Sequence, residues 1–123
     1  MSQNIDLQEK LKANIRDVHD FPKAGIIFKD ITPILENHDL TKEITAEFAK
    51  NCSGMKIDAV MGIESRGFFW GLLLAQALNV PFIPVRKKGK LPGDVIAHHY
   101  DLEYGSDTIE IQSDAIEKGS KVL

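Results

Sequence analysis

The chain has 123 residues with a formal net charge of −3, 43 % hydrophobic and 27 % charged residues. That is enough for one core of ordinary globular composition. The acidic balance argues against a general nucleic-acid binder or a membrane-surface protein, both of which carry a basic excess. The single cysteine, Cys52, excludes an internal disulfide and makes a reducing, cytoplasmic setting the expectation.

The N-terminal stretch is charged throughout and has no apolar core of a signal peptide. Asp6 and Glu9 have capping-box spacing, and Leu7, Leu11, Ile15 and Val18 form one apolar stripe. The pattern predicts a first helix ending near His19. Residues 21–37 carry Pro22, Gly25 and Pro33, which predicts loop with short extended pieces. Leu40, Ile44 and Phe48 predict a second helix that opens at Asp39 or Thr41 and closes near Gly54.

Residues 57–61 are almost continuously apolar, as in a strand covered on both faces. A glycine-flanked break at 62–67 leads into the apolar helix FFWGLLLAQAL, with Trp70 and its neighbouring phenylalanines read as core. A second short strand follows at 81–85. Strand, loop, helix and strand in this order predict a right-handed βαβ unit and a parallel sheet. Ile96, His98, Tyr100 and Leu102 alternate, as do Ile109 and Ile111, with turn residues between them, so an antiparallel hairpin is expected. Residues 121–123 read as the start of another buried strand. No repeat or linker interrupts the chain, so residues 1–123 are expected to form one domain.

Four segments could carry chemistry. The loop 62–67 lies where a strand ends and a helix begins, the place where open α/β sheets bind anions. There Arg66 could grip a phosphate, or Glu64 and Arg66 could simply be solvated turn residues. The run 86–90 holds four cations in five residues, an anion site or a basic surface loop; no aromatic residue interleaves as a single-strand binder needs. Carboxylates around 101–103 could stabilise a cationic transition state or be the polar face of a hairpin. His98 and His99 are adjacent and would point to opposite faces of a strand, so no metal site is expected from them. Phe28, in a loop bounded by proline and glycine, could stack on a flat ligand or be core.

Taken together, FPKAGIIFKDITP (21–33), GIESRGF (62–68), PFIPVRKKGKLPG (81–93), YDLEYG (100–105) and EIQSDAI (110–116) resemble the adenine phosphoribosyltransferase family of the type I phosphoribosyltransferase superfamily. The resemblance implies an α/β fold with a parallel sheet flanked by helices, an N-terminal helix and base-binding loop over 1–36, and a mobile hairpin over 93–112. It implies transfer of a phosphoribosyl group from phosphoribosyl pyrophosphate to adenine, giving AMP and pyrophosphate, with Mg²⁺ held through the substrate diphosphate and no protein side chain as metal ligand.

Residue by residue, the resemblance has Phe28 stacking on adenine, with the backbone of Ile27 and Lys29 reading its edge. Glu64, Ser65, Arg66, Arg86, Lys87 and Lys90 meet pyrophosphate. Glu103 and Tyr104 lie on the lid, with Glu103 and Arg66 as the catalytic pair. A cytoplasmic homodimer with small-molecule substrates, and with neither nucleic acid nor membrane as partner, is expected. In the family the text beyond KVL runs into a strand ending in two acidic residues and a loop cradling the 5′-phosphate. A protein longer by about 50 residues is therefore expected, and the 123-residue chain is expected to be inactive and aggregation-prone. A catalytically inactive purine- or nucleotide-binding module, or a fragment lacking the phosphate loop, is the alternative reading.

Overall fold

The computed structural model describes residues 2–123, with side chains from Asp6 onward. The chain divides into two compact units, residues 1–50 and 51–123.

The first unit opens with α1, Ser2–Asn14. The helix starts earlier and stops sooner than the apolar stripe predicts. Asp6 is therefore inside the helix, where it pairs with Lys10 one turn on at 3.3 Å. Ile15 leaves the helix, and Val18 falls in strand β1, Arg16–His19. The 3.6-residue stripe runs through this boundary because Val18 is equally at home in a short strand paired with an apolar partner. Strand β1 pairs antiparallel with β2, Ile27–Asp30, setting Val18 opposite Phe28. The connection is closed by Gly25 N–H donating to Asp20 Oδ1 at 2.9 Å, with Gly25 at φ +87°. Asp30 then accepts from the Thr32 N–H and hydroxyl, seating the single turn α2, Thr32–Leu35, with Pro33 in its first turn. Helix α3, His38–Asn51, buries Leu40 and Ile44, while Phe48, the third residue of its apolar spacing, is exposed.

The second unit is built on a four-stranded sheet of order β3-β4-β6-β5. β3, Val60–Ile63, and β4, Phe82–Lys87, are parallel and joined by α4, Arg66–Leu78. β5, Val95–Asp101, and β6, Ser106–Gln112, form the expected antiparallel hairpin, and β6 also pairs antiparallel with the end of β4. The sheet is thus mixed: a parallel pair extended by a hairpin. Residues 121–123 run along β3, with a parallel bridge from Val122 to Ala59 and Met61 N–H donating to the Leu123 carbonyl at 2.8 Å. Ala59, Val60, Leu74, Ala75, Ile83 and Val85 are buried. Among the described residues no helix is long and apolar enough to cross a membrane.

The reading of the aromatics of α4 as core holds only in part. Phe68 and Trp70 are half-buried, whereas Phe69 is 44 % exposed and Leu72 and Leu73 are exposed beside it. An all-apolar helix has no sequence signal to say which face turns inward. Glycine decides it instead.

A Cβ on Gly71 of α4 would stand 2.5 Å from Phe82 Cε1, and one on Gly62 of β3 would stand 2.8 Å from the same atom and 2.4 Å from the Gly67 carbonyl oxygen. The Phe82 ring thus fills the space two glycines leave open, and α4 lies against β3 on that face. Gly→Ala inside a helix ordinarily gains about 1 kcal/mol. Here overpacking should outweigh the gain, so Gly71→Ala is expected to lower stability by about 1–3 kcal/mol. Gly62→Ala should cost more, because its clash includes backbone. Urea unfolding of the two variants checks both the sign and the order.

Candidate anion site and base-binding loop

Chain path decides what surrounds the 63–66 loop. β3 ends at Ile63 in the sheet, and α4 begins at Arg66, so Glu64 and Ser65 make the whole connection. The Glu64–Ser65 peptide bond is cis, as is Phe21–Pro22. Glu64 N–H donates to the Val85 carbonyl at 2.9 Å, which continues the β3–β4 ladder past the strand and brings the Glu64 side chain to the end of β4.

There its Oε1 accepts two bonds, from Lys87 N–H at 2.8 Å and from Arg86 Nε–H at 3.2 Å. The Glu64 side chain is 16 % exposed. Its carboxyl is held below its ordinary value of 4.5, chiefly by the Lys87 N–H and further by the Arg86 charge, against a smaller opposing effect of burial. The Arg86 guanidinium stands 5.9 Å from the Phe68 ring centroid, and Phe68 meets Phe82 edge-on at 5.9 Å. Arg86 Nη1 also reaches the Lys90 carbonyl at 3.5 Å.

The basic turn after β4 is therefore tied down from two sides. Lys87 N–H is on Glu64, Gly89 N–H donates to Glu110 Oε1 at 2.9 Å, and Lys90 N–H donates to the Lys87 carbonyl at 3.2 Å. With those three amides committed within the protein, an anion here meets side-chain cations: Arg86, Lys88 and Lys90. Lys87 has a carboxylate of its own, with Nζ 3.4 Å from Asp107 Oδ2 on the hairpin. Asp107 is held below its ordinary 3.8, first by the Thr108 N–H and then by Lys87. Arg66 is the exposed first residue of α4, where the helix dipole adds its positive end.

Of the residues singled out in the sequence, Glu64, Arg86, Lys87 and Lys90 thus form one connected cluster, with Ser65 and Arg66 next to it along the chain. Glu103 and Tyr104 lie at the hairpin tip, where Leu102 N–H donates to the Gly105 carbonyl at 2.9 Å; Tyr104 is 89 % exposed. Ile27, Phe28 and Lys29 belong to the first unit. Ile27 is half-exposed, Lys29 pairs with Asp17 across the β1–β2 ladder at 2.6 Å, and half-buried Phe28 meets Phe21 edge-on at 5.1 Å. Phe28 is thus neither deep core nor fully solvated.

Sequence reasoning missed Glu110, Asp107 and Phe68. Glu110 sits in an alternating strand, where a charged residue between two isoleucines reads as the solvent face. Its partner lies 21 residues away, so no local signal marks it.

Comparison with known proteins adds a second line. No protein-family model matches the chain. It is 54 % identical over 114 residues to an adenine phosphoribosyltransferase of Flavobacterium johnsoniae, covering 93 % of this chain and 67 % of that protein. Among solved structures, that of an adenine phosphoribosyltransferase from Rhodothermus marinus superimposes with a TM-score of 0.89 at 50 % identity, covering 98 % of this chain and 68 % of the other. The Saccharomyces cerevisiae enzyme, solved with a dideoxy-imino-altritol bisphosphate and adenine, gives 0.87 at 43 % identity, covering 96 % and 69 %. The chain thus spans about two thirds of the length of these relatives.

The Glu64 geometry predicts a pH response. A carboxylate with a lowered pKa contributes its stabilisation fully above its unfolded value and loses it as pH falls through the folded one. The Lys87 amide proton should therefore titrate with Glu64 at a pH below 4.5. A midpoint at or above 4.5 in an amide chemical-shift titration would contradict the bond.

Proposed function

The chain belongs to the adenine phosphoribosyltransferase family, pentosyltransferases of purine salvage, and we propose that it supplies the adenine-binding and pyrophosphate-binding parts of such an enzyme. The reaction joins adenine to the phosphoribosyl group of phosphoribosyl pyrophosphate, releasing pyrophosphate and AMP. The observation that carries this reading is the cluster at the end of β4, where Glu64 holds Arg86 Nε and the Lys90 carbonyl meets Nη1, so that the guanidinium and the neighbouring lysines form one fixed group of cations.

The chemistry asks for that arrangement. As the leaving diphosphate separates, negative charge grows on it and an oxocarbenium-like sugar is left behind. Preorganised cations at the leaving group lower that barrier without having to reorganise. Arg66, Arg86 and Lys90 take this role. Ser65 and Glu64 shape the loop, and Lys87 exchanges Asp107 for the diphosphate. Glu103 and Tyr104, at the exposed hairpin tip, close over the sugar and exclude water that would hydrolyse it. Arg66 and Glu103 are the catalytic residues in this reading. Phe28 stacks on adenine, and the backbone of Ile27 and Lys29 reads the ring edge.

Magnesium enters through the substrate. Among the described residues no three His, Cys, Asp or Glu side chains cluster as ligands, and Glu64, beside the cations, already accepts two bonds. A Mg²⁺ ion carried in with the diphosphate would supply charge neutralisation to the leaving group. A cytoplasmic homodimer completes the proposal. The lone, buried Cys52 supports a reducing compartment, and the exposed Phe69, Leu72 and Leu73 on α4 support self-association.

Binding of the two ligand halves tests this directly. Calorimetry should show separate, saturable binding of adenine and of inorganic pyrophosphate. Phe28→Ala should cost adenine about 1–3 kcal/mol, the worth of one stacked base, and leave pyrophosphate unchanged. Arg66→Ala should do the reverse, and, introduced into a full-length version, should remove about 2–4 kcal/mol of transition-state stabilisation in the turnover of adenine to AMP. Equal losses for both ligands in either variant would contradict the assignment.

A further inference from the structure

The most buried charged residue outside the residues assigned above is Glu110, 8 % exposed on β6. A buried carboxylate is costly unless it is hydrogen-bonded or charge-paired. In the sheet register Glu110 lies opposite Arg86 on β4 and Ala97 on β5, so it sits on an inner strand, directly across from the first cation of the basic turn. Its Oε1 accepts Gly89 N–H at 2.9 Å. Gly89 has φ +82° with open space where a Cβ would stand, so glycine is there for its left-handed conformation and not for room. That conformation directs the amide at 89 to the carboxylate. The result is a turn of four cations whose far side is hung from a second strand pair.

We propose that Glu110 is a positioning residue of the anion site, acting by holding the Gly89 amide so that Arg86, Lys88 and Lys90 present their charges together; this rests on the pyrophosphate-binding reading above. Without that bond the turn keeps Glu64 as its near-side anchor and, from β6, is left with the Asp107–Lys87 ion pair alone. The four like charges then spread apart, and an anion binding there must order them again at its own expense. Glu110 touches no ligand in this scheme. Its negative charge works against the anion, and its acceptor oxygen works for it.

That opposition separates positioning from charge. Glu110→Gln keeps a carbonyl acceptor and removes the charge, whereas Glu110→Ala removes both. Calorimetric titrations with inorganic pyrophosphate and with adenine, and amide hydrogen exchange at Gly89, read the three proteins. For Glu110→Ala, losing a bond to a charged acceptor should weaken pyrophosphate about tenfold or more and speed Gly89 exchange by a similar factor. Adenine affinity should stay at the parent value. For Glu110→Gln, Gly89 should remain protected and pyrophosphate should bind at least as tightly as in the parent.

A Gln variant with weaker pyrophosphate binding or a fast-exchanging Gly89 overturns the proposal, and this arm stands by itself should the Ala variant fold poorly. Parental pyrophosphate binding in a folded Ala variant overturns it as well. A parent chain that binds no pyrophosphate overturns the functional reading itself, a result recognisable before any variant is compared.

Discussion

The site geometry in the second unit depends on how closely α4 can approach β3. Gly62 and Gly71 present no side chain to each other's elements, and the Phe82 ring occupies the gap between them. From that contact the remaining geometry follows by short steps. The loop of two residues between β3 and α4 has no slack, so Glu64 continues the ladder to Val85 and its carboxylate arrives at Arg86 and Lys87. Phe68, in the first turn of α4, meets Phe82 on one side and the Arg86 guanidinium on the other.

Electrostatics does the rest. Four cations within five residues repel one another, and a loop so composed would be loose if left to solvent. Here carboxylates from separate elements hold it: Glu64 from the β3 end, with Asp107 and Glu110 from β6. Two of them act on backbone amides and only Asp107 on a side-chain ammonium alone. The proposed anion site is thus a basic turn held by carboxylates placed behind it. This differs from a glycine-rich phosphate loop, where backbone N–H groups face the ligand. Here the Lys87, Gly89 and Lys90 amides are bonded within the protein, and in the proposed site recognition falls to side chains.

Much of this was legible in the sequence. Periodicity located α3 and the β5–β6 hairpin, apolar runs located α4 and β4, and the family resemblance grouped Glu64 with Arg86, which are bonded to each other in the structure. What stayed hidden has physical causes. The end of α1 was overrun because Val18 satisfies both a helical stripe and a strand facing Phe28. The buried face of α4 was unreadable because its residues are apolar all round, and only the glycine–Phe82 fit selects it. Glu110 carried no signal of its own, since alternation in TIEIQ says which residues share a face and not whether that face meets solvent or another loop. Pattern reports local preference, while these three outcomes are settled by partners far away in the chain.

The central claim is that this turn binds a diphosphate through side-chain cations while its own amides stay bonded to carboxylates. A two-dimensional ¹H–¹⁵N titration of the chain with inorganic pyrophosphate reads both halves at once. Saturable shifts at the Arg86 side-chain Nε–H and around Arg66, with the Lys87 and Gly89 amides keeping their positions, are the result this account predicts. Large shifts of the Lys87 and Gly89 amides with little change at Arg86 would mean that the backbone cradles the anion, and would contradict it.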